Sequence, residues 1–558
     1  MQNYDLPIGI ENYSKVTKKY YIDKTMLIKD LIDYGEGKAI LLTRPRRFGK
    51  SLALSTVDYF FNVKEDSTNL FNDKLIFKEE DLISKYMNQY PVVHLNMKGI
   101  ECSSSFNIID RVMDRVCLMY RNYPELLSSD KLSDAEKQEF SSIYNKKYSS
   151  DLIIPSLERL TRFLYKHYER KIILLIDEYD APIQSAYDNG HFKGVMSFFK
   201  SFYGDALKGN DSLYFAFISG VLQISKESLF SGLNNLMVSS INSTFLSSYF
   251  GFSKEEVEMI IKDFELNIGI DTIEQYYGGY YIGNQKSMFN PWSVLNFVNE
   301  RKFRTYWANT GTNELLTSII GVNDSSEDLL DFLNNKSKKA SFNPAISFFD
   351  INKNLKSSLS FLAQAGYLTI IPNLDDYFDD TYEYRIPNIE IFDTFRTEII
   401  GRNIRENDMS AALKFKKAIF SQNVEDITSI LEEYLLSSLS YYDLNDERNY
   451  HNSVTGLISV LFDNYIVKNE VDSGLGRCDI LILPKRENEI GIVIEIKRSK
   501  AKNQISKSRL DSLAKEAIKQ IKKKDYIEIL RRINCRKIIA YGFAFQNKKS
   551  SISTEEIQ

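Results

Sequence analysis

The chain has 558 residues, of which 43% are hydrophobic and 26% charged, and its 71 basic residues nearly balance its 75 acidic ones. These proportions are those of ordinary globular proteins, and they exclude a disordered, collagen-like or disulfide-built chain. The length predicts three or four domains. A net charge of −4 argues against a uniformly basic coat for nucleic acid, although it leaves room for a local basic surface.

The sequence gives no sign of export or of membrane insertion. The four cysteines are far apart and form no CxxC pair, which is typical of a reducing compartment and not of a zinc site or disulfide framework. The first residues show no basic segment followed by an apolar one, and no apolar run approaches the roughly 18 residues that span a bilayer. We therefore expect a soluble, cytoplasmic protein with no membrane partner.

The first 250 residues predict an α/β domain. Continuous apolar runs, typical of strands buried on both faces, alternate here with longer amphipathic stretches. This order predicts a parallel sheet with helices on both of its faces. The predicted strands cover residues 39–43, 91–97, 172–176 and 212–219, and the predicted helices cover 50–62, 106–122 and 152–169.

From residue 251 the pattern becomes mainly helical. Ser253 and Glu256 have the spacing of a helix-capping box, and we expect a helical lid domain over 251–345. A winged-helix-like module is expected over 346–404, with a simple α+β linker as the alternative. Its strands are predicted at 367–371 and 382–386, on either side of the acidic turn 373–380.

Residues 405–558 predict a second α/β domain. Helices are expected over 405–440, 447–466 and 506–533, and strands over 478–484, 490–497 and 537–545. The last residues are polar, and we expect them to be frayed. The sequence contains no internal repeat.

The first predicted strand leads into Arg-Pro-Arg-Arg-Phe-Gly-Lys-Ser at positions 44–51, and a predicted helix follows. Loop N–H groups and the positive end of a helix can together surround a polyphosphate, so this order predicts a phosphate loop. Lys50 is expected to reach the β- and γ-phosphates, and Ser51 to bind Mg²⁺. Arg44 replaces the first glycine of the usual pattern.

A second acidic element completes the predicted nucleotide site. Asp177 and Glu178 end the most apolar strand of this region, where the Asp can hold Mg²⁺ through water and the Glu can polarise an attacking water. We therefore expect ATP and Mg²⁺ as ligands, with Glu178 catalytic. The nucleotide contacts are predicted at Arg46, Arg47, Phe48, Gly49, Lys50, Ser51, Leu52 and Asp177.

Four motifs, in the right order, resemble the bacterial AAA-ATPase-like family, in which a P-loop ATPase of the signal-transduction type precedes a PD-(D/E)XK nuclease-superfamily domain. They are RPRRFGKSL (44–52), IDEYDAPI (176–183), the stretch 218–236 and the stretch 276–297. The resemblance covers most of the chain and implies that the arginine-rich loop is usual. It also implies that Ser219 lies at the polar sensor position near the γ-phosphate, as a further nucleotide-binding residue.

A second constellation lies near the C-terminus. Asp479 and Glu495 fall on two predicted strands separated by a turn, and if those strands pair, the carboxylates converge and can bind Mg²⁺. Lys497 shares a strand face with Glu495 and would help neutralise charge there. This pattern resembles the PD-(D/E)XK active site. The resemblance implies that Glu447 adds to the metal site and that Gln520 is the downstream polar residue.

The C-terminal domain also carries a basic segment. Residues 497–524 hold eleven Lys or Arg against two Asp or Glu. Basic residues beside a metal site would bind a phosphate backbone with strong dependence on salt, although a charged run can also be a solvated helix face. We expect DNA or RNA as the partner. The sequence leaves open whether the protein forms a homo-oligomer.

The predicted function is an ATP-binding and ATP-hydrolysing protein whose nucleotide state regulates a Mg²⁺-dependent nuclease-like domain acting on nucleic acid. The alternative is a nucleotide-dependent switch or scaffold whose C-terminal domain binds without cleaving. A third interpretation is a DNA-transaction ATPase in which the winged module reads DNA. The acidic turn over 373–380 counts against that third interpretation.

Overall fold

The protein is described by a computed structural model, in which the chain separates into two compact units, Met1–Phe392 and Asp393–Gln558. Both units are built from helices and sheets, so the predicted α/β class is confirmed. The described residues are 5–100, 105–224, 229–230, 232–307, 332, 337–345, 355–373, 381–395, 406–438, 450, 454, 458, 465–473, 476–484, 488–499, 501 and 505–557.

The first unit is centred on a five-stranded sheet of order β2-β3-β4-β1-β5, in which every neighbouring pair is parallel. The four predicted strands are present, and a short fifth strand, which we did not predict, lies at the edge. The strands are β1 (Ala39–Thr43), β2 (Val92–Asn96), β3 (Ile172–Asp177), β4 (Leu213–Gly220) and β5 (Leu236–Ser239). Because the strands are parallel, the loops that follow them meet at one edge of the sheet.

Helices cover the sheet and extend the unit. Those up to the end of β4 are α1 (Tyr13–Val16), α2 (Leu27–Gly35), α3 (Lys50–Phe61), α4 (Thr68–Phe71), α5 (Glu80–Tyr86), α6 (Ser105–Tyr120), α7 (Asp134–Tyr144), α8 (Ser156–Tyr168), α9 (Ala181–Asp188) and α10 (Phe192–Leu207). Short 3-10 helices occupy Leu75–Lys78, Pro124–Ser128 and Ser150–Leu152. The predicted helices 50–62, 106–122 and 152–169 correspond to α3, α6 and α8.

The middle of the chain contains helices α11 (Lys254–Asp263), α12 (Ile270–Tyr277) and α13 (Pro291–Glu300), with the hairpin β6 (Tyr280–Ile282) and β7 (Gln285–Met288). The capping box of Ser253 and Glu256 is present at the start of α11. A later group consists of β8 (Lys338–Ser341), α14 (Leu355–Ala365), β9 (Thr369–Pro372) and β10 (Thr381–Arg385). Its strands form an antiparallel sheet of order β8-β10-β9, and residues 374–380 of the predicted acidic turn lie outside the described residues.

The second unit is built on a sheet of order β11-β12-β13-β14-β15, in which only the β13–β14 pair is parallel. One face packs on α15 and α16 through Ile419 and Leu431, and the other packs on α17 and α18 through Ile521 and Leu530. The strands are β11 (Tyr465–Ser473), β12 (Gly476–Pro484), β13 (Ile490–Arg498), β14 (Lys537–Gln546) and β15 (Lys549–Ile557). The helices are α15 (Glu406–Ser421), α16 (Val424–Ser438), α17 (Lys507–Lys524) and α18 (Glu528–Arg532).

Three expectations for this unit were wrong in detail. The C-terminal segment is not frayed, because β15 pairs along the whole of β14 and buries Ile552. The predicted helix 506–533 divides in two at Asp525, whose backbone adopts the left-handed conformation that ends helices, whereas the helical stretch predicted from 405 to 440 is present as α15 and α16. The strand β11 begins at Tyr465, inside the predicted helix 447–466.

In the part of the chain that the structure describes, no helix combines the length and the apolar character needed to cross a membrane.

Candidate nucleotide and metal sites

The phosphate loop connects β1 to α3. Gly49 is the N-cap residue of α3 and has a φ of 89°, a left-handed conformation that a glycine adopts without steric cost. The ammonium of Lys50 donates to the main-chain carbonyls of Arg44 and Pro45, at 2.9 and 2.8 Å. Burial lowers the pKa of Lys50 to about 8, although Asp180 and Glu178 act in the opposite direction. The loop therefore folds around a buried cation.

Arg44, at the position of the missing glycine, has a structural role. Its side chain is fully buried and points toward the edge strand, where its guanidinium donates to the carbonyl and the hydroxyl of Ser239, at 2.9 and 3.1 Å. It also donates to the Thr43 carbonyl and lies over the ring of Phe250. Burial lowers the pKa of Arg44 to about 9. Arg44 thus joins β1 to β5 instead of contacting the nucleotide cavity.

A cavity of about 760 Å³ opens beside the phosphate loop. Its polar part is lined by Arg46, Arg47, Gly49, Lys50, Ser51, Lys98, Glu178 and Asp180. Its apolar part is lined by Ile8, Val16, Tyr21, Ile22, Leu27, Phe252, Trp292 and Leu295. Phe48 and Leu52 also face it. A concave site that combines charged groups with aromatic and aliphatic groups matches a nucleotide, which joins charged phosphates to a flat base.

Of the acidic pair at the end of β3, Glu178 lines this cavity, whereas Asp177 lines a smaller cavity that shares Ser51 with it. Asp177 is buried, and its carboxylate accepts hydrogen bonds from the Ser219 hydroxyl and from the main-chain N–H of Glu178. Ser219, on the adjacent strand β4, is itself fully buried and does not line the cavity, so it acts on Asp177. Glu178 faces the cavity, and its pKa is raised by burial and by Asp177, while Lys50 and Lys98 oppose the rise.

Sequence reasoning missed Asp180, which also lines the cavity and whose charge acts on Lys50. Its carboxylate accepts hydrogen bonds from the main-chain N–H groups of Val221 and Leu222, at 2.9 and 2.8 Å. A Cβ on Gly220 would lie only 2.5 Å from the Tyr179 ring and 2.7 Å from the Asp180 carboxylate, so only glycine fits there. Asp180 follows the predicted acidic pair by two positions in IDEYD, which is the signal that could have identified it.

The two tryptophans of the chain both contact the phosphate loop. The guanidinium of Arg47 lies 4.4 Å from the ring centre of Trp292. The indole N–H of Trp307 donates to the main-chain carbonyl of Arg46 at 3.2 Å. The two predicted phosphate-binding arginines are therefore held by residues from the middle of the chain, and the sequence pattern gave no sign of this.

The C-terminal carboxylates are brought together by strand register. In the antiparallel pair β12–β13 the printed register ends with Ile480 opposite Ile494, and Asp479 and Glu495 are the next residues beyond that pair on the two strands. The Asp479 carboxylate accepts a hydrogen bond from the main-chain N–H of Ile496 at 2.7 Å. The predicted pairing of the two strands is thus present, and the Glu495 side chain lies against α17, where Gln520 donates to it.

Glu495 lies at the centre of this site and is only 2% exposed. Its Oε1 accepts hydrogen bonds from Lys497, at 3.1 Å, and from Gln520, whereas its buried Oε2 has no hydrogen-bond partner. Burial and the charge of Asp479 raise the pKa of Glu495 to about 7, and Lys497 acts in the opposite direction. A buried carboxylate oxygen without a partner, beside a second carboxylate, suits a hard divalent cation.

Only some of the other residues predicted to serve the C-terminal site lie in the part of the chain that the structure describes. Glu447 lies outside the described residues, and among those residues no group of three or more His, Cys, Asp or Glu could hold a metal ion. Much of the basic segment forms α17, and its Lys524 lies beside Gly476, three residues before Asp479. Lys522 is paired with Glu555, so part of the positive charge is already neutralised.

Comparison with known families agrees with this division of the chain. Residues 7–230 match the AAA-ATPase-like family, which is described as a predicted AAA-ATPase. Residues 445–555 match a family of the PD-(D/E)XK nuclease superfamily. The chain joins an AAA-ATPase-like domain to a PD-(D/E)XK nuclease-superfamily domain. The first match contains the phosphate loop and the Asp177–Glu178 pair, and the second contains Asp479, Glu495 and Lys497.

The chain is also similar to a protein from Azotobacter chroococcum mcd 1 that is named only as an uncharacterized protein in the vnfD 5′ region. The two are 25% identical over 410 residues, which cover 73% of this chain and 72% of that protein. The similarity is longer than the two family matches taken together. It therefore also includes sequence that belongs to neither of the two matched domains. It adds no activity to what the two domains indicate.

Proposed function

We propose that the AAA-ATPase-like domain binds and hydrolyses ATP, and that its nucleotide state regulates metal-dependent cleavage of nucleic acid by the PD-(D/E)XK domain. The observation that carries the first half is the meeting of Lys50, Ser51 and Glu178 in one cavity of about 760 Å³. The observation that carries the second half is the buried, unpartnered Oε2 of Glu495 beside Asp479.

In the nucleotide site, Lys50 binds the β- and γ-phosphates and leaves its present carbonyl partners for them. Ser51 and Asp177 hold Mg²⁺, which supplies positive charge against the phosphate oxygens. Glu178 orients the attacking water and accepts its proton. Because burial raises the pKa of Glu178, this carboxylate is a better proton acceptor than an exposed one. Ser219 keeps the Asp177 carboxylate in position through its hydroxyl.

In the C-terminal site, Asp479 and Glu495 hold a divalent cation, with Mg²⁺ as the expected ion, which supplies Lewis-acid stabilisation of the phosphodiester. Lys497 offers positive charge to the oxygen that becomes negative during cleavage. Gln520 fixes the Glu495 carboxylate from the side of α17. Basic side chains of α17 hold the nucleic-acid backbone without reading its sequence.

The regulatory part of the proposal is supported by contacts of the phosphate loop inside the first unit. Trp307 contacts the Arg46 carbonyl, and a Cβ on Gly366, just after α14, would lie 2.7 Å from Pro45. The loop is therefore packed against the segments that lead along the chain toward the C-terminal domain. A change in the loop on nucleotide binding would reach these segments directly.

The nucleotide half is tested by replacing Lys50 with alanine and measuring ATP binding by calorimetry. Loss of the buried ammonium removes the main cation for the β- and γ-phosphates, so we expect binding to fall below detection. Lys64→Ala is the control, because Lys64 pairs with Glu125 and does not line the cavity. ATP affinity that survives in Lys50→Ala would refute the assignment of the phosphate loop.

The metal half is tested by titrating Mn²⁺, as a stand-in for Mg²⁺, into the full chain and into Glu495→Gln in the absence of nucleotide. We expect one class of sites to disappear in the variant, because the amide has lost the charge that attracts the cation. Glu432→Gln is the control, since Glu432 pairs with Lys549 away from the carboxylate site. Equal Mn²⁺ binding in all three proteins would place the metal elsewhere.

A further inference from the structure

The loop after β2 carries a lysine that no sequence pattern identified. Lys98 lies two positions beyond the end of β2, and the last residue of β2, Asn96, is in register with Asp177. The main-chain N–H of Met97 donates to the Asp177 carbonyl at 2.9 Å, and the Asn96 side chain accepts from the Lys98 N–H at 2.8 Å. The Lys98 backbone is thus fixed to the acidic pair of the nucleotide site.

The side chain of Lys98 lines the same cavity as Lys50 and Glu178. Its charge acts on the Glu178 carboxylate together with that of Lys50. Glu178 marks the end of the cavity where the γ-phosphate and the attacking water belong in the proposed reaction. Lys98 therefore stands close to the position that the γ-phosphate takes in the proposed reaction.

The present partner of Lys98 is Glu11, whose Oε1 lies 2.6 Å from the lysine ammonium. The same oxygen lies 4.0 Å from the guanidinium of Arg47. Glu11 is therefore close to two basic side chains, those of Lys98 and Arg47, and both of these residues line the cavity. Since Lys98 is 48% exposed and Glu11 is 39% exposed, this ion pair is solvated and weak enough to be exchanged for a stronger one.

We infer that Lys98 exchanges Glu11 for the γ-phosphate and so makes the site prefer a nucleoside triphosphate to a diphosphate. The inference rests on the proposed function, because it needs ATP at the phosphate loop. A diphosphate would leave Lys98 on Glu11, whereas a triphosphate places anionic oxygens within the reach of its flexible four-carbon stem. A charge-assisted hydrogen bond to phosphate is stronger than a solvated ion pair, so the exchange favours the triphosphate.

The test measures the affinities of the full chain for ATP and for ADP, both with Mg²⁺, in wild type, Lys98→Met and Lys98→Arg. We expect Lys98→Met to weaken ATP binding about tenfold, which is the effect of losing one hydrogen bond to a charged group. The affinity for ADP should stay within about twofold of the wild-type value. Lys98→Arg should keep the preference, because it keeps the charge. Lys146→Met is the matched control, since Lys146 is similarly exposed and paired with Asp114 but does not line the cavity.

Glu11→Gln provides a second variant that does not remove the lysine. With the competing carboxylate gone, we expect ATP affinity to stay or to rise a few-fold while ADP affinity does not change. An unchanged ratio of ATP to ADP affinity in Lys98→Met would overturn the inference while leaving ATP binding intact. Wild-type protein that binds neither nucleotide would instead overturn the proposed function, and this inference with it.

Discussion

The indole N–H of Trp307 donates to the main-chain carbonyl of Arg46, so a residue 261 positions away supports the phosphate loop from outside. The N–H groups of Tyr306 and Trp307 both donate to the carboxylate of Glu390, at 2.6 and 2.8 Å. That carboxylate also accepts from the Ser293 hydroxyl. The phosphate loop, the segment around 306–307 and Glu390 are therefore connected by hydrogen bonds within the first unit.

Replacing Trp307 with phenylalanine should weaken ATP binding a few-fold. The ring would still fill most of the space, but the Arg46 carbonyl would lose its donor, at a cost of about 1 kcal/mol. Calorimetry on the full chain measures this directly. Unchanged ATP affinity would show that the hydrogen bond does not support the binding conformation of the loop.

The same contact should make nucleotide binding visible in tryptophan fluorescence, because Trp292 and Trp307 are the two tryptophans of the chain. We expect ATP to change the emission of the wild type and of Trp292→Phe, in which only Trp307 remains. Emission that responds in the wild type but not in Trp292→Phe would mean that the loop moves without affecting Trp307.

Ser219→Ala should slow ATP hydrolysis more than it weakens ATP binding. The Asp177 carboxylate would lose the hydroxyl donor that orients it, so kcat should fall about tenfold while the KM for ATP changes little. Ser219→Thr should recover part of the rate, because it restores a hydroxyl. Ser212→Ala, just before the start of the same strand, is the control, and an equal effect there would point to a general loss of stability.

Glu390 gives the first unit a dependence of stability on pH. Burial raises its pKa to about 7, against the opposing hydrogen bonds from Trp307, Ser293 and Tyr306. Folding therefore favours the protonated carboxyl, so its contribution to stability is complete below about pH 4.5 and is lost as the pH rises through about 7. Each pKa unit corresponds to about 1.4 kcal/mol.

Melting temperatures between pH 5 and pH 8 check this. The wild type should lose stability over this range, and Glu390→Gln should lose less, because the amide is neutral throughout. The exposed Glu300, changed to glutamine, is the control and should keep the slope of the wild type. A slope in Glu390→Gln equal to that of the wild type would contradict the assignment.

The parts of the site that the sequence predicted are those encoded over short distances. Lys50 and Ser51 follow directly from the order of strand, loop and helix, and Asp177 and Glu178 from their place at the end of an apolar strand. The closeness of Asp479 to Glu495 follows from two neighbouring strands that pair with each other. In each case the residues that specify the structure are next to the residues that carry the chemistry.

The parts that could not be predicted depend on packing between distant segments. Nothing near Arg46 indicates Trp307, and nothing near Lys98 indicates Glu11, 87 positions earlier. The strand β15 was mistaken for a frayed end because its serines and threonines resemble a polar tail. The main-chain groups of β15 pair with those of β14, and the serine- and threonine-rich sequence alone does not indicate this pairing.

The central claim, that nucleotide at one site controls cleavage at another, is tested most directly by incubating the full chain with labelled DNA and RNA. ATP and Mg²⁺ are each present or absent, and Lys50→Ala and Glu495→Ala are included. We expect cleavage that needs Mg²⁺, that changes with ATP in the wild type but not in Lys50→Ala, and that disappears in Glu495→Ala with ATPase activity retained. Nucleic acid that is bound but never cut would favour a nucleotide-dependent scaffold, and cleavage that persists unchanged in both variants would contradict the account.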